Sequence, residues 1–178
     1  QLIVEKIESP AVAAAGLKPG DVVISCEGRA LFTPTERSSL AGYTPTRHHI
    51  IVNELDNVRN RLYVLTPSAE GWKREPLAGL PEFGTISAGA VDATESDAYF
   101  VTVTDFLTPT SLLYGEVGKG APEVLKSMPA FFDASGLAVS QHEATSADGT
   151  RVPYFQVASK AFKLDGSNGG GRQARLAR

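Results

Sequence analysis

The chain is poor in the residues that most readily build reactive centres. Its 178 residues include one cysteine, three histidines, one methionine and one tryptophan. A lone cysteine, Cys26, excludes an intrachain disulfide and any metal cluster built on several thiolates. Cys26 follows the apolar run Val22-Val23-Ile24, so a buried structural thiol is expected there. His48 and His49 are adjacent, and so are His142 and Glu143. Neighbours along a strand point to opposite faces, so neither pair is placed to chelate one ion. No metal and no cofactor site is expected. Seventeen basic residues against twenty acidic ones leave a net charge of −3, without the basic field that attracts nucleic acid. No apolar run approaches the roughly 20 residues needed to cross a bilayer, so no membrane partner is expected. A glycine-rich phosphate loop is missing too. Gly118-Lys119-Gly120 lacks the G-x-x-x-x-G-K-[ST] spacing and reads as a hairpin turn.

What remains is an ordinary soluble composition, 42% hydrophobic and 21% charged. The compartment stays open between cytoplasm and periplasm. The opening "QLIVEKIESP" has no basic stretch followed by an apolar block, so it does not read as a signal peptide. It begins directly in a strand-like pattern, as an internal piece of a longer protein would.

Residues 1–30 suggest a strand–helix–strand unit. Val4 to Ile7 alternate, Ser9 can cap a helix with Pro10 at its first position, and Gly16 can end it. Lys18-Pro19-Gly20-Asp21 is a turn, and Val22 to Ser25 a second strand. Ser9-Pro10-Ala11, Ala15-Gly16-Leu17 and Lys18-Pro19-Gly20-Asp21-Val22-Val23 together resemble the central part of a PDZ domain. That resemblance implies a peptide-binding module. Thr35 to Leu40 would then supply its second helix and His49 to Glu54 its last strand, so Leu31 to Leu55 fits two families.

From Leu31 the chain is mainly β. Runs such as "HHIIVNEL", "RLYVLTP", "GWKREPL", "GTISAGAV", "AYFVTVTDF", "SLLYGEV", "EVLKSMP", "LAVSQHEATS" and "VPYFQVA" alternate with turn residues. Asp56-Asn57 reads as a turn, not an acid/base pair. Asp92, Glu95 and Asp97 read as a solvated acidic loop. The stretch from His49 echoes the stretch from Tyr99. At a spacing of 50, Ile50-Ile51 falls on Phe100-Val101 and Arg61-Leu62 on Ser111-Leu112. A repeat of that length suits a propeller blade of four strands. Two blades cannot close a ring, and open edges favour self-association. Phe131-Phe132 is expected to pack between the propeller and its neighbour.

Several runs resemble the prolyl oligopeptidase family of serine peptidases over residues 31–168. They are Leu55-Asp56-Asn57-Val58 with Arg61-Leu62, Tyr99-Phe100, Phe106-Leu107-Thr108-Pro109-Thr110-Ser111-Leu112, and above all Ala144 to Phe155. The resemblance implies a partial β-propeller of about two blades over 31–135. It also implies the first hairpin of an α/β-hydrolase domain over 136–164, followed by a Gly/Arg tail, 165–178. In the intact family the propeller restricts access and peptides are cut after proline.

The tail "KLDGSNGGGRQARLAR" invites a nucleophile reading of Ser167. A nucleophile elbow is G-x-S-x-G, and Asp165 stands where its first glycine belongs. A base and an orienting carboxylate would also be needed, and the family's pair follows its serine. The resemblance further implies that "LDGSN" runs through a proline into a long hydrolase domain. The switch to glycines after Asn168 therefore reads as a junction. No catalytic residue is expected, and the chain alone is expected to be inactive and marginally stable. The alternative function is a PDZ-like peptide-binding module without enzymatic activity.

Overall fold

The computed structural model describes residues 29–163 and 165, together with the strands of residues 2–6 and 22–26. Three strands come first: β1 (Leu2–Lys6), β2 (Val22–Cys26) and β3 (Arg29–Ala30). β1 and β2 pair antiparallel with Leu2 opposite Cys26, and β2 pairs with β3. The helix expected from Ser9 to Gly16 lies outside the described residues, as does the burial of the Cys26 side chain. The PDZ-like reading of this part therefore rests on the sequence resemblance alone.

Two four-stranded antiparallel sheets follow in simple up-and-down order. The first contains β4 (Ser38–Pro45), β5 (Ile50–Asp56), β6 (Arg59–Ser68) and β7 (Gly71–Pro76). The second contains β8 (Thr85–Ala90), β9 (Ala98–Thr104), β10 (Ser111–Glu116) and β11 (Glu123–Ser127). A separate hairpin of β12 (Leu137–Thr145) and β13 (Arg151–Ser159) closes the described chain. No helix occurs among the described residues. Thr35 to Leu40 is accordingly not a helix: Ser38, Ser39 and Leu40 begin β4, whose partner is β5. His49 precedes β5, a strand inside the first sheet rather than the last strand of a PDZ domain.

The sheets are held face to face by alternation. Ile51, Leu62 and Val64 point from the first sheet into one cluster with Ile86, Tyr99, Val101, Val103 and Leu113 of the second. Each such side chain contributes roughly 1.5–3 kcal/mol when fully buried. The opposite face of the first sheet carries Ile50, Val52 and Leu65, which pack with Leu31, Leu40 and Trp72. The opposite face of the second sheet presents Phe100, Leu112 and Tyr114, all exposed. This is a stack of two propeller-like blades, with no closed barrel among the described residues.

The stack corrects the sequence echo. In blades turned the same way, the face of Ile51, Leu62 and Val64 corresponds to the face of Phe100, Leu112 and Tyr114. Leu62 on Leu112 keeps that correspondence at a spacing of 50. Ile51 on Val101 does not, because Val101 belongs to the facing side of the core. Ile51 pairs with Val64 and Phe100 with Tyr114, so the second hairpin is one residue longer between partners. One residue of slip moves every side chain to the other face.

Side chains also bond across the stack, to the carbonyls of the edge strand β8. Thr44 Oγ1 donates to the Ala88 carbonyl at 2.9 Å, and Asn53 Nδ2 to the Ile86 carbonyl at 2.7 Å. On the first blade, Glu54 is only 6% exposed. Its two carboxylate oxygens accept from Arg74 at 2.6 and 2.8 Å, and the guanidinium lies 3.6 Å over the Tyr63 ring. The bonded carboxylate raises the Arg74 pKa above its ordinary value. Arg74→Ala strands a buried carboxylate, so a loss of about 2 kcal/mol is expected, discounted for the partly exposed arginine. Urea denaturation followed at Trp72 measures it. Replacing both partners by leucine should recover most of that loss, because no unpaired charge then stays buried.

Candidate functional site

The two ends of the blade stack differ. At one end lie the β4–β5 turn and the β8–β9 loop. The Asp97 carboxylate accepts there from Thr46 Oγ1 at 2.9 Å and from the His48 amide at 2.7 Å. It also meets the His48 ring Nδ1 at 2.7 Å. Arg47 adds an amide bond to the Ser96 carbonyl. The acidic loop thus splits: Asp92 caps its own turn through Thr94 and Glu95, while Asp97 ties one blade to the other. The expectation of a merely solvated Asp97 fails because its neighbours come from a turn about fifty positions earlier. His48 and His49 lie in that turn, not in a strand, and part company there: the His49 ring pairs with Thr66.

Burial works against ionising Asp97, but the bonds from His48 and Thr46 outweigh it and hold its pKa at about 2. The folded value lies below the ordinary 3.8, so this contribution to stability is complete above 3.8 and is lost as pH falls through about 2. Asp97→Asn should remove that pH dependence, which acid unfolding curves of the two proteins would reveal.

The other end is where the hairpin sits. β5 reverses into β6 through Asn57 and Val58, with φ of 49° and 62°. Positive φ at both positions is the tight hairpin turn that follows the strand twist. For a β-branched valine this backbone is strained. The Asn57 carbonyl accepts from Gln141 Nε2 of β12 at 2.9 Å. Gln141 Oε1 in turn accepts from Arg59 Nε. Arg59 Nη1 reaches Glu82 Oε1 at 2.7 Å, and its guanidinium lies 4.8 Å over the Phe83 ring. Gln141 stands opposite Phe155 in the β12–β13 register. Phe155 packs against Phe83 and Phe106, with ring centroids 5.6 and 5.2 Å apart.

Two rungs further, on the same hairpin face, Glu143 bonds Arg37 at 3.0 Å and also Arg151. Arg151 first, with Arg37 behind it, lowers the Glu143 pKa below the ordinary carboxylate value, against a desolvation cost. Thr35, Arg37, Asn57, Val58, Glu143 and Arg151 line a cleft of about 550 Å³ between the hairpin and the first blade. The other hairpin face carries His142 stacked on Tyr154 at 5.4 Å, with Ser140 bonded to the His142 ring.

Ser167 lies outside the described residues, so the nucleophile reading is not placed in space. Among the described residues no three His, Cys, Asp or Glu side chains gather as a metal site. Nor is any helix among them long and apolar enough to cross a membrane. Phe131 and Phe132, expected to pack between the propeller and its neighbour, are 76% and 55% exposed among the described residues, on the connection from β11 to β12. Sequence reasoning also passed over Arg59 and Gln141. Their partners lie up to 84 positions away, and no local pattern marks them.

No family model matches the chain. Curated relatives do. An uncharacterized peptidase of Sinorhizobium fredii is 43% identical over 142 residues, 80% of this chain and 19% of that protein. An uncharacterized peptidase of Rickettsia prowazekii is 29% identical over 140 residues, 79% of this chain and 19% of that protein. The prolyl endopeptidase of Elizabethkingia miricola is 30% identical over 89 residues, covering 50% and 12%. Among solved structures, a post-proline cleaving enzyme from Rickettsia typhi superposes with a TM-score of 0.59 at 28% identity, over 79% of this chain and 20% of that one. Prolyl oligopeptidase B from Galerina marginata shares the fold, with a TM-score of 0.62 at 22% identity over 82% and 22%. The chain spans about a fifth of the length of the first two curated relatives. By sequence and by fold it belongs to the prolyl oligopeptidase family of peptidases, of which it carries a propeller segment.

Proposed function

We propose that this chain supplies late propeller blades and the first hydrolase hairpin, residues 136–164, of a post-proline serine endopeptidase. In such an enzyme the propeller restricts which peptides reach the catalytic centre, and cleavage falls on the carboxyl side of proline. Stacked blades with a hairpin docked at one end carry this reading. That hairpin is a two-stranded sheet with no other strand paired to it among the described residues. Such a pair needs a larger sheet or a packed face for stability, which a following hydrolase domain would provide.

Catalysis in this reading does not reside in residues 1–178. Asp165 stands where the G-x-S-x-G motif has its first glycine, and no histidine follows Ser167 in this sequence. Incubating the chain with a chromogenic proline-containing peptide should give no hydrolysis above background. Turnover that disappears in Ser167→Ala would overturn this assignment. Peptides are the partners of the intact enzyme.

A further inference from the structure

We propose that the pocket walled by Asp105, Phe106 and Phe155 binds an alkylammonium group, the chemistry found at the end of a lysine side chain or on a free amine. The inference is independent of the peptidase reading: it needs no catalysis and no particular peptide bond.

Three observations carry it. First, the pocket presents charge of one sign. It encloses about 310 Å³ beside the start of β8, and Asp105 is the only charged residue among the described residues that line it. Second, that charge is fixed in place and one of its oxygens is unused. Asp105 Oδ1 accepts the Leu107 and Thr108 amides, both at 2.6 Å. Gly84 closes against the same side chain, and a Cβ there would lie 2.8 Å from the Asp105 Cβ. Oδ2 accepts no hydrogen bond and meets no lysine or arginine among the described residues. A carboxylate oxygen held in this way is a strong acceptor for a charged donor.

Third, the pocket wall is aromatic. The Phe106 and Phe155 rings stand 5.2 Å apart between centroids, inclined at 45°. Ring faces carry the negative part of the aromatic quadrupole and attract cations. The same aromatic cluster already does so. Phe83 packs on Phe155 and takes the Arg59 guanidinium 4.8 Å from its centroid. Arg59 itself is committed to Gln141 and Glu82 and does not line the pocket.

The combination selects the ligand. A neutral apolar molecule would strip water from Oδ2 and leave it unpaired, which is costly. An anion would be repelled. A hard metal ion takes six or more oxygen ligands, and no three His, Cys, Asp or Glu side chains gather among the described residues. An alkylammonium satisfies both walls: its N–H donates to Oδ2 while its short stem covers the rings and Val58.

The test is a nuclear magnetic resonance titration of the full chain with n-butylammonium chloride at constant ionic strength, read at the ring signals of Phe106 and Phe155. Saturable shifts are expected with a Kd on the order of 10 mM, the strength that one charged hydrogen bond and one exposed cation–π contact allow. n-Butanol, its neutral match in size, should give no saturable shift. Asp105→Asn keeps an oxygen for the two amides and removes the charge, so it should weaken binding about tenfold. Phe106→Leu keeps apolar bulk and removes a ring face. Read at Phe155, it should weaken binding about threefold, and it keeps the proposal testable if Asp105→Asn unfolds. Lysine capped as its Nα-acetyl methylamide separates the sources. Binding tighter than that of n-butylammonium assigns the site to a polypeptide side chain, weaker binding assigns it to a free amine, and either supports the site. No saturation with either cation, an equal response to n-butanol, or parental affinity in Asp105→Asn would each overturn the proposal. Peptide hydrolysis enters none of these readouts, so failure here is distinct from failure of the peptidase assignment.

Discussion

Tyr99→Ala is expected to cost about 3–5 kcal/mol, the usual range for removing a large aromatic side chain from a core. Tyr99 is fully buried, at 0% exposed, in the cluster shared by both blades. Its ring fills the space left by Gly115, opposite it on β10. A Cβ at that glycine would come within 2.6 Å of the ring and hydroxyl. Truncation leaves a cavity that the sheets cannot easily close, since they are pinned to each other by hydrogen bonds from Thr44 and Asn53 to β8. The hydroxyl tells a different story. It is buried and finds no partner among the described residues, and burial raises its pKa. Tyr99→Phe should therefore be neutral or stabilising by up to about 1 kcal/mol, since an unsatisfied polar atom is removed and the ring kept. Gly115→Ala should be destabilising, and less so in a Tyr99→Ala background, where the ring it collides with is gone. Urea midpoints of these variants measure the series. A Tyr99→Phe loss as large as that of Tyr99→Ala would mean that the hydroxyl, not the ring, is what the blades require.

The second large effect is expected at Gly84, just before β8. Its φ is +126°, where only glycine is comfortable. An added Cβ would lie 2.5 Å from the Thr104 carbonyl oxygen and 2.8 Å from the Asp105 Cβ. The first of these is backbone and cannot swing aside. Strain and overpacking together should cost about 3 kcal/mol or more in Gly84→Ala. Gly89, on the same strand, has nothing within 4 Å of its would-be Cβ. Gly89→Ala is the matched control and should change stability by no more than about 0.5 kcal/mol. Equal midpoints for the two variants would contradict the close approach of β8 to the end of β9.

The strands were legible where apolar residues alternate against a buried partner. β9, β10 and β12 each sit within a run read from sequence, while β5 overruns its run by one residue and β13 by one at each end; β9 and β10 show buried and exposed residues in alternation, whereas β5 is buried on both faces. β4 was hidden. "SSLAGYTP" has serine, glycine and proline where a strand usually has β-branched residues, and its edge position in the first sheet tolerates them. What makes it a strand is β5, its tertiary partner, which local propensity cannot report. The repeat was visible, but its one-residue slip was not, since both hairpins satisfy the same alternation. The site was less legible still. The resemblance located the hairpin through Ala144 to Phe155, yet Arg59 with Gln141 and Asp97 with His48 are pairs made only by folding.

The claim beneath the whole account is that β4–β7 and β8–β11 stack face to face as neighbouring blades. Methyl-labelled nuclear magnetic resonance on the full chain tests it most directly. The account predicts cross-peaks from the Leu62 and Val64 methyls to those of Val101, Val103 and Leu113, and none from Val52 or Leu65 to that second group. Cross-peaks from Val52 and Leu65 to Val101, with Leu62 silent, would contradict it.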